Sequence, residues 1–362
     1  MTGTLSEKFA NILSGSLIAL VNISVAVSVA ALLFAQTDPR FMVPGIAILL
    51  VGTLVAGLGG SLFSDYRAVI CSPRNGLVPV FAVMISSIYA SFGSEYSLGA
   101  EATIIVAIMV ASLITGLFLL LLGRLRLGNL VRYIPYPVTG GFFAGIGYIF
   151  VEGGLTVASG ASPTFSSFTE SQFIQLVTPA VVLALCLIIG KLFRDNRLSV
   201  PGILLASILI FYGVLAMAGI SRDEAAASGL LPSIESTGAL VPVFHFNYLA
   251  EVNWVAISGQ LSGIVVVALL CSMMLLLDVS GIELIARKDL NPDHELQVMG
   301  YTNIVNSVLG GFPGVHDASD TALVERLGGK HLGHPAFAEL AQQRVFVGHR
   351  RSTHRRPSCD VL

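Results

Sequence analysis

Three short stretches of the chain hold residue types that could do chemistry. The first is Cys71-Ser72-Pro73-Arg74-Asn75-Gly76, an arginine beside a proline and small polar residues between two apolar runs. Proline opens a helix well and continues one badly. A helix starting near Pro73 would aim free N–H groups and a positive dipole end at an anion. The alternative is an arginine near a membrane surface that snorkels to water. The second stretch is Asp278-Val-Ser280-Gly281-Ile-Glu283. Five residues apart, at about 100° per residue, the two acids lie on different helix faces. Asp278 suits Na⁺ or H⁺, or the balancing of a cationic site. Its alternative is an acid in water at a helix end, and Glu283 is read as facing either a cavity or an interface. The third stretch is Gly310-Gly311-Phe-Pro313-Gly314-Val-His316-Asp317-Ala318-Ser319-Asp320-Thr321. It reads as a second helix starting at membrane depth, with Asp317 or Ser319 as its cap. His316 is either a ligand or an ordinary loop histidine.

The elements that must position these residues follow from composition. Of 362 residues, 54% are hydrophobic and 12% charged, with a mean hydropathy of +0.81. A soluble domain carries about 25% charged residues, so this chain reads as an integral membrane protein, all-α and polytopic. A formal charge of −2 leaves no basic footprint for nucleic acid. The four cysteines show no metal or redox spacing. No phosphate loop, H-E-x-x-H, C-x-x-C or G-x-S-x-G is present, so no enzyme, metal or cofactor is expected beyond Na⁺ or H⁺ coupling. A channel, a secondary transporter and a membrane scaffold remain.

Eight charge-free runs are long enough to span a bilayer core of about 30 Å: 12–34, 41–63, 75–94, 102–123, 133–151, 171–190, 198–221 and 252–277. A ninth, 294–311, is amphipathic. With the N-terminus inside, ten basic residues fall on the inner side: Lys8, Arg67, Arg124, Arg126, Arg132, Lys191, Arg194, Arg197, Arg287 and Lys288. Only Arg40 and Arg222 fall outside, a strong positive-inside bias. The first run is too long for the core of a signal peptide. Gly141 and Gly145 form a G-x-x-x-G, read as tight packing or a sliding face. Leu58-Gly59-Gly60 and Leu309-Gly310-Gly311 echo each other before the two interrupted segments, the pattern of a site built from inverted repeats. Residues 331–362 hold five arginines and four histidines and no apolar run. They read as a basic tail or as the sign of a truncated or frame-shifted chain, the second being favoured.

Leu277-Asp278-Val-Ser280-Gly281-Ile-Glu283, Asn291-Pro-Asp-His-Glu295-Leu and Gly300-Tyr-Thr-Asn303-Ile-Val-Asn306-Ser-Val-Leu-Gly310-Gly311-Phe-Pro313-Gly314 together resemble the SulP family of inorganic anion transporters. Arg132-Tyr-Ile-Pro135-Tyr-Pro137-Val-Thr-Gly140-Gly141 and Cys71-Ser72-Pro73 add to the likeness, which covers about residues 9–330. The resemblance implies a fold of seven-plus-seven inverted repeats, here about nine spans and the start of a tenth. Core helices 1–4 and 8–10 would move against gate helices 5–7, with no STAS domain in the chain. It implies an anion held between the starts of the third and tenth helices. Ser72, Pro73, Arg74 and Asn75 would stand on one side and Asp317, Ala318 and Ser319 on the other, with Asn22 and Ser24 from the first helix. Asp278 and Glu283 are the candidate ion-coupling acids. Asp317 and Asp320 depart from the family, whose members more often have small, polar or basic residues there.

The expected function is secondary transport of sulfate or bicarbonate across the cell (inner) membrane, with lipid and a second copy of the chain as partners. A nucleobase-type carrier, for which Asp317 is the favourable sign, and a non-transporting fragment are the alternatives. The chain as written is expected not to transport. The charge bias predicts that cysteines placed in the 124–132 loop of intact cells resist an impermeant thiol reagent. Ready labelling at Arg126→Cys would reverse the orientation.

Overall fold

The computed structural model describes residues 5–34, 37–66, 68–129, 136–159, 167–193, 199–221, 224–225 and 248–326. The apolar runs become helices: α1 (Leu5–Leu33), α2 (Met42–Phe63), α3 (Val78–Ser91), α4 (Leu98–Arg124), α5 (Tyr136–Ser159), α6 (Ser171–Phe193) and α7 (Ser199–Ala218). After them come two short helices, α8 (Tyr248–Glu251) and α9 (Trp254–Ser258), then α10 (Leu261–Ala286), α11 (Pro292–Leu309) and α12 (Ala318–Arg326). Local sequence sets several starts. Ser97 caps α4 by accepting from Ala100 N, and Asn291 caps α11 ahead of Pro292. Gly310, at φ +75°, ends α11 in the left-handed conformation that glycine adopts without strain.

Two elements differ from the sequence expectation. The run 252–277 divides at Gln260, where the backbone leaves the helical region between α9 and α10. Helix α10 then continues to Ala286, so Asp278 lies inside a helix and not at its watery end. Pro73 does not open a helix. It ends a three-residue strand, β1 (Cys71–Pro73), and Pro79 is the proline in the first turn of α3. Among the described residues, five segments are long and apolar enough to cross a membrane: Gly15–Leu33, Pro39–Phe63, Leu98–Arg124, Phe173–Gly190 and Leu261–Ala286. Asn75–Ser91 and Gly202–Ala218 are shorter apolar helices. Arg67, Arg132, Arg194, Arg197, Arg222 and the segment 331–362 lie outside the described residues.

The core is built by α1–α4 with α10 and α11. Its tightest seam joins α4 to α11, where glycines replace side chains. A Cβ on Gly116 would stand 2.8 Å from the Gly300 carbonyl oxygen, and one on Gly300 would stand 2.9 Å from Leu120 N. Without an apolar driving force between helices in lipid, such close backbone approach is what holds them. The G-x-x-x-G of α5 is different. Among the described residues, nothing beyond the helix's own backbone lies within 4 Å of a Cβ built on Gly140, Gly141, Gly145 or Gly147, so no described residue packs tightly against this stretch.

This contrast is testable in detergent-purified protein. Gly116→Val should lower the unfolding midpoint sharply, because overpacking against backbone costs about 1–3 kcal/mol or more. Gly141→Ala should leave the midpoint within experimental error. Equal effects of the two would dissolve the assigned seam.

Candidate functional site

The two interrupted segments meet inside the protein. Strand β1 pairs antiparallel with β2 (Gly314–His316), with Cys71 opposite His316, Ser72 opposite Val315 and Pro73 opposite Gly314. A crossing of two three-residue strands leaves many backbone groups to satisfy away from water. The neighbouring helices supply the partners. Asn303 of α11 clamps Gly314, donating from Nδ2 to its oxygen and accepting from its nitrogen, both at 2.9 Å. Asn306 Nδ2 donates to Phe312 O at 3.2 Å, and Ser112 Oγ of α4 donates to Gly311 O at 2.9 Å. Phe312 N reaches Ile48 O in α2, and Asp317 N reaches Ile70 O. Gly314 is required here: a Cβ would come within 2.8 Å of Ala56 Cβ.

From this crossing α3 and α12 start at opposite ends, and their N-termini differ. Asp317 caps α12, its Oδ1 accepting from Ser319 N, Ser319 Oγ and Asp320 N. Asp278 of α10 stands beside this end, where a Cβ built on Gly281 would lie 3.2 Å from Ala318 Cβ. The positive end of α12 is thus capped by one carboxylate and has a second beside it. No side chain caps α3 or the turn Asn75–Leu77 that precedes it.

Arg74 joins the two sides. Its Nη1 lies 2.6 Å from Asp317 Oδ2 and its Nη2 lies 3.2 Å from Asp278 Oδ2, with side-chain exposures of only 14–16% for all three residues. Among the described residues, its Nε is buried without a hydrogen-bond partner. A guanidinium suits this place because its planar fork can serve two carboxylates while keeping a fifth donor free. Beside it is a cavity of about 10 Å³, lined by Asn22, Thr53, Ser72, Pro73, Arg74, Asn75 and Phe312 among others, close to the room one water needs.

The candidates from the sequence separate accordingly. Asn22, Ser72, Pro73, Arg74 and Asn75 line the cavity, and Asn22 also hydrogen-bonds Asp320. Asp278, Asp317 and Ala318 form the carboxylate side, and Ser319 serves the Asp317 cap. Two candidates stand elsewhere. Ser24 Oγ donates to Leu20 O of its own helix at 3.0 Å, and Glu283 accepts from Leu290 N in the turn after α10. Sequence reasoning gave no site role to Thr53 and Phe312 in the cavity, nor to Glu295, Asn303 and Asn306 behind it, although the last three stand in the motifs that carry the family resemblance. They share the buried face of α11. Asp65, His294 and Glu295 also converge. Glu295, however, already accepts from Ser64 Oγ and Asp65 N and meets His316, so no metal centre is assigned.

A helical membrane body whose interior presents two helix starts from crossed strands defines a multi-pass transporter architecture. Comparison with known proteins places it further: the profile of the Sulfate permease family matches residues 9–331, and the chain belongs to that family. Its members are transporters and not enzymes. One relative, the "Vacuolar basic amino acid transporter VSB1" of Saccharomyces cerevisiae, is 24% identical over 86% of this chain and 31% of its own length. A "Probable sulfate transporter" of Mycobacterium tuberculosis is 26% identical over 77% of this chain and 54% of its own length. The "Bicarbonate transporter BicA" of Synechocystis sp. is 25% identical over 77% of this chain and 48% of its own length. The chain therefore spans about a third to a half of these relatives. The fold resembles the transmembrane domain of a cyanobacterial bicarbonate transporter BicA, with a TM-score of 0.59 at 21% identity, covering 97% of this chain and 83% of that one. It also resembles SLC26A9, at 0.65 and 14%, covering 92% of this chain and 53% of that one.

Removing one member of a buried ion pair strands the other. Arg74→Gln should therefore destabilise the purified protein by about 3–5 kcal/mol, and adding Asp317→Asn should restore part of that loss. Thermal unfolding in detergent reads both. A double variant less stable than Arg74→Gln alone would contradict the pairing.

Proposed function

We propose that the chain forms the cargo-binding part of a secondary transporter for an inorganic anion of the sulfate or bicarbonate class. One observation carries this reading: among the described residues, Asn75, which opens the turn leading into α3 with no side-chain cap, and Arg74, whose Nε has no hydrogen-bond partner, line one cavity. Free N–H groups at a helix start and a spare guanidinium donor are what an oxyanion needs once it leaves water. The observed cavity is small, so binding widens it. In this reading α1–α4 and α10–α12 carry the anion as a core, sliding against a gate of α5–α7 in an elevator-like movement. The N-terminus faces the cytoplasm at the cell (inner) membrane, and a second copy of the chain completes a dimer.

Charge sets the coupling. Asp278, Asp317 and Asp320 surround one guanidinium, so an arriving anion meets net negative charge unless a cation comes too. Na⁺ or H⁺ at Asp278 provides it in this reading; Glu283, turned to the loop after α10, does not take part. The same carboxylate excess, together with the vacuolar relative, favours a second reading: a basic amino acid as cargo, its carboxylate on Arg74 and its cationic groups near the aspartates. The nucleobase reading loses its support, because Asp317 spends one oxygen on the α12 cap and the other on Arg74.

Titration calorimetry separates these readings, and binding needs only groups present in the chain. Sulfate or bicarbonate should bind saturably, more tightly with Na⁺ or at lower pH, and Ser72→Glu should abolish binding. Lysine or arginine binding in place of either anion would establish the second reading. Binding of none of them would leave the chain as a non-transporting fragment.

A further inference from the structure

The site has a second polar layer that neither cargo nor coupling ion touches. Ser72 and Pro73 line the cavity, whereas Cys71 and His316, opposite each other in the strand pairing, do not and lie beyond its wall. On that far side His316 Nε2 lies 2.7 Å from Glu295 Oε2, and both side chains are fully buried. Glu295 Oε1 accepts from Ser64 Oγ at 3.0 Å and from Asp65 N at 2.8 Å, just past the end of α2. One carboxylate in the first turn of α11 thus ties together the end of α2 and the last residue of β2. The next residue after His316 is Asp317, which caps α12 and holds Arg74.

We propose that Glu295 and His316 are a positioning ion pair. It fixes the strand crossing from behind and thereby sets where Arg74 stands in the cavity. The geometry carries the assignment. A carboxylate with no solvent exposure, served by two further donors, is stable beside an imidazolium and poorly stable beside an empty space. A shift of β2 by a fraction of its length would carry Asp317 away from Arg74, because the two bonds lie on adjacent residues. Neither Glu295 nor His316 reaches the cavity, so the pair acts only through Asp317 and Arg74. The proposal rests on the Arg74 cavity being the binding site, but not on which cargo occupies it.

The test uses the full chain labelled with ¹⁵N-histidine and ¹⁵N-arginine in detergent micelles. The Arg74 side-chain resonance is assigned by its loss in Arg74→Lys. The wild type should show an imidazolium resonance that is lost in His316→Gln. Glu295→Gln, which keeps the shape and removes the charge, should shift the Arg74 resonance although the two residues do not touch. The double variant Glu295→Gln/His316→Gln, an amide pair that can keep a hydrogen bond without charge, should return Arg74 towards its wild-type position. Sulfate affinity, where the wild type binds sulfate, should fall about 5-fold or more in Glu295→Gln and recover in the double variant. An unmoved Arg74 resonance in folded Glu295→Gln would overturn the proposal, as would a neutral His316. If Glu295→Gln does not fold, His316→Gln decides alone: it keeps a donor to Glu295 but not the charge, and an unmoved Arg74 there is equally fatal. Because the arginine signal is read without cargo, failure of the anion reading leaves this result interpretable.

Discussion

Non-helical backbone at membrane depth survives only where something satisfies it, and the crossing of β1 with β2 is where this chain meets that constraint. Six residues in two strands lead into the two helix starts on which the proposed binding site depends. Holding them takes side chains from α4 and α11 and backbone from α2: Ser112, Asn303, Asn306 and the Ile48 carbonyl. The glycines of the α4–α11 seam serve the same end, since α11 must lie close enough for its amides to reach β2. Stability and function are therefore not separable at this crossing. A change that loosens the seam also moves the helix starts.

Charge makes the two helix starts unequal. The architecture alone offers two positive ends to an anion, yet Asp317 and Asp278 occupy the one at α12, and Arg74 is shared between them. In the proposed reading, what remains for cargo is the turn before α3 and one guanidinium nitrogen. Buried ion pairs are weak evidence for stability but hold groups in a fixed register. Here that register keeps a cation in the cavity wall when no cargo is present. The acid excess also explains why charge alone does not decide between a free anion with a coupling cation and a cargo carrying both signs.

Much of this was legible from residue types. Prolines and glycines marked both interrupted segments and an arginine between apolar runs marked the first; the cap of the second was readable as Asp317 or Ser319, and the structure gives it to Asp317. The partner of Asp317 was not readable, since Arg74 lies 243 residues away and no local pattern links them. Pro73 misled by type: proline favours a helix start, but it also tolerates a strand where no ladder donor is needed. The division at Gln260 left no signal, because a glycine and a glutamine in an apolar run are as common within helices as between them. Ser24 failed for the opposite reason, its hydroxyl being satisfied by its own helix. Glu295, Asn303 and Asn306 were legible as part of the amphipathic run 294–311 and of the family motifs, but not as a support for the site. Only the packing of α11 against β2 turns them inward.

The most direct measurement is the anomalous scattering of selenate, a heavier analogue of sulfate, in crystals of this chain. The selenium peak is expected in the cavity beside Arg74, with a selenate oxygen within hydrogen-bond distance of Nε and the turn before α3. A peak at the start of α12 with Asp317 displaced, or ordered crystals soaked to saturation that show no peak near Arg74, would contradict it.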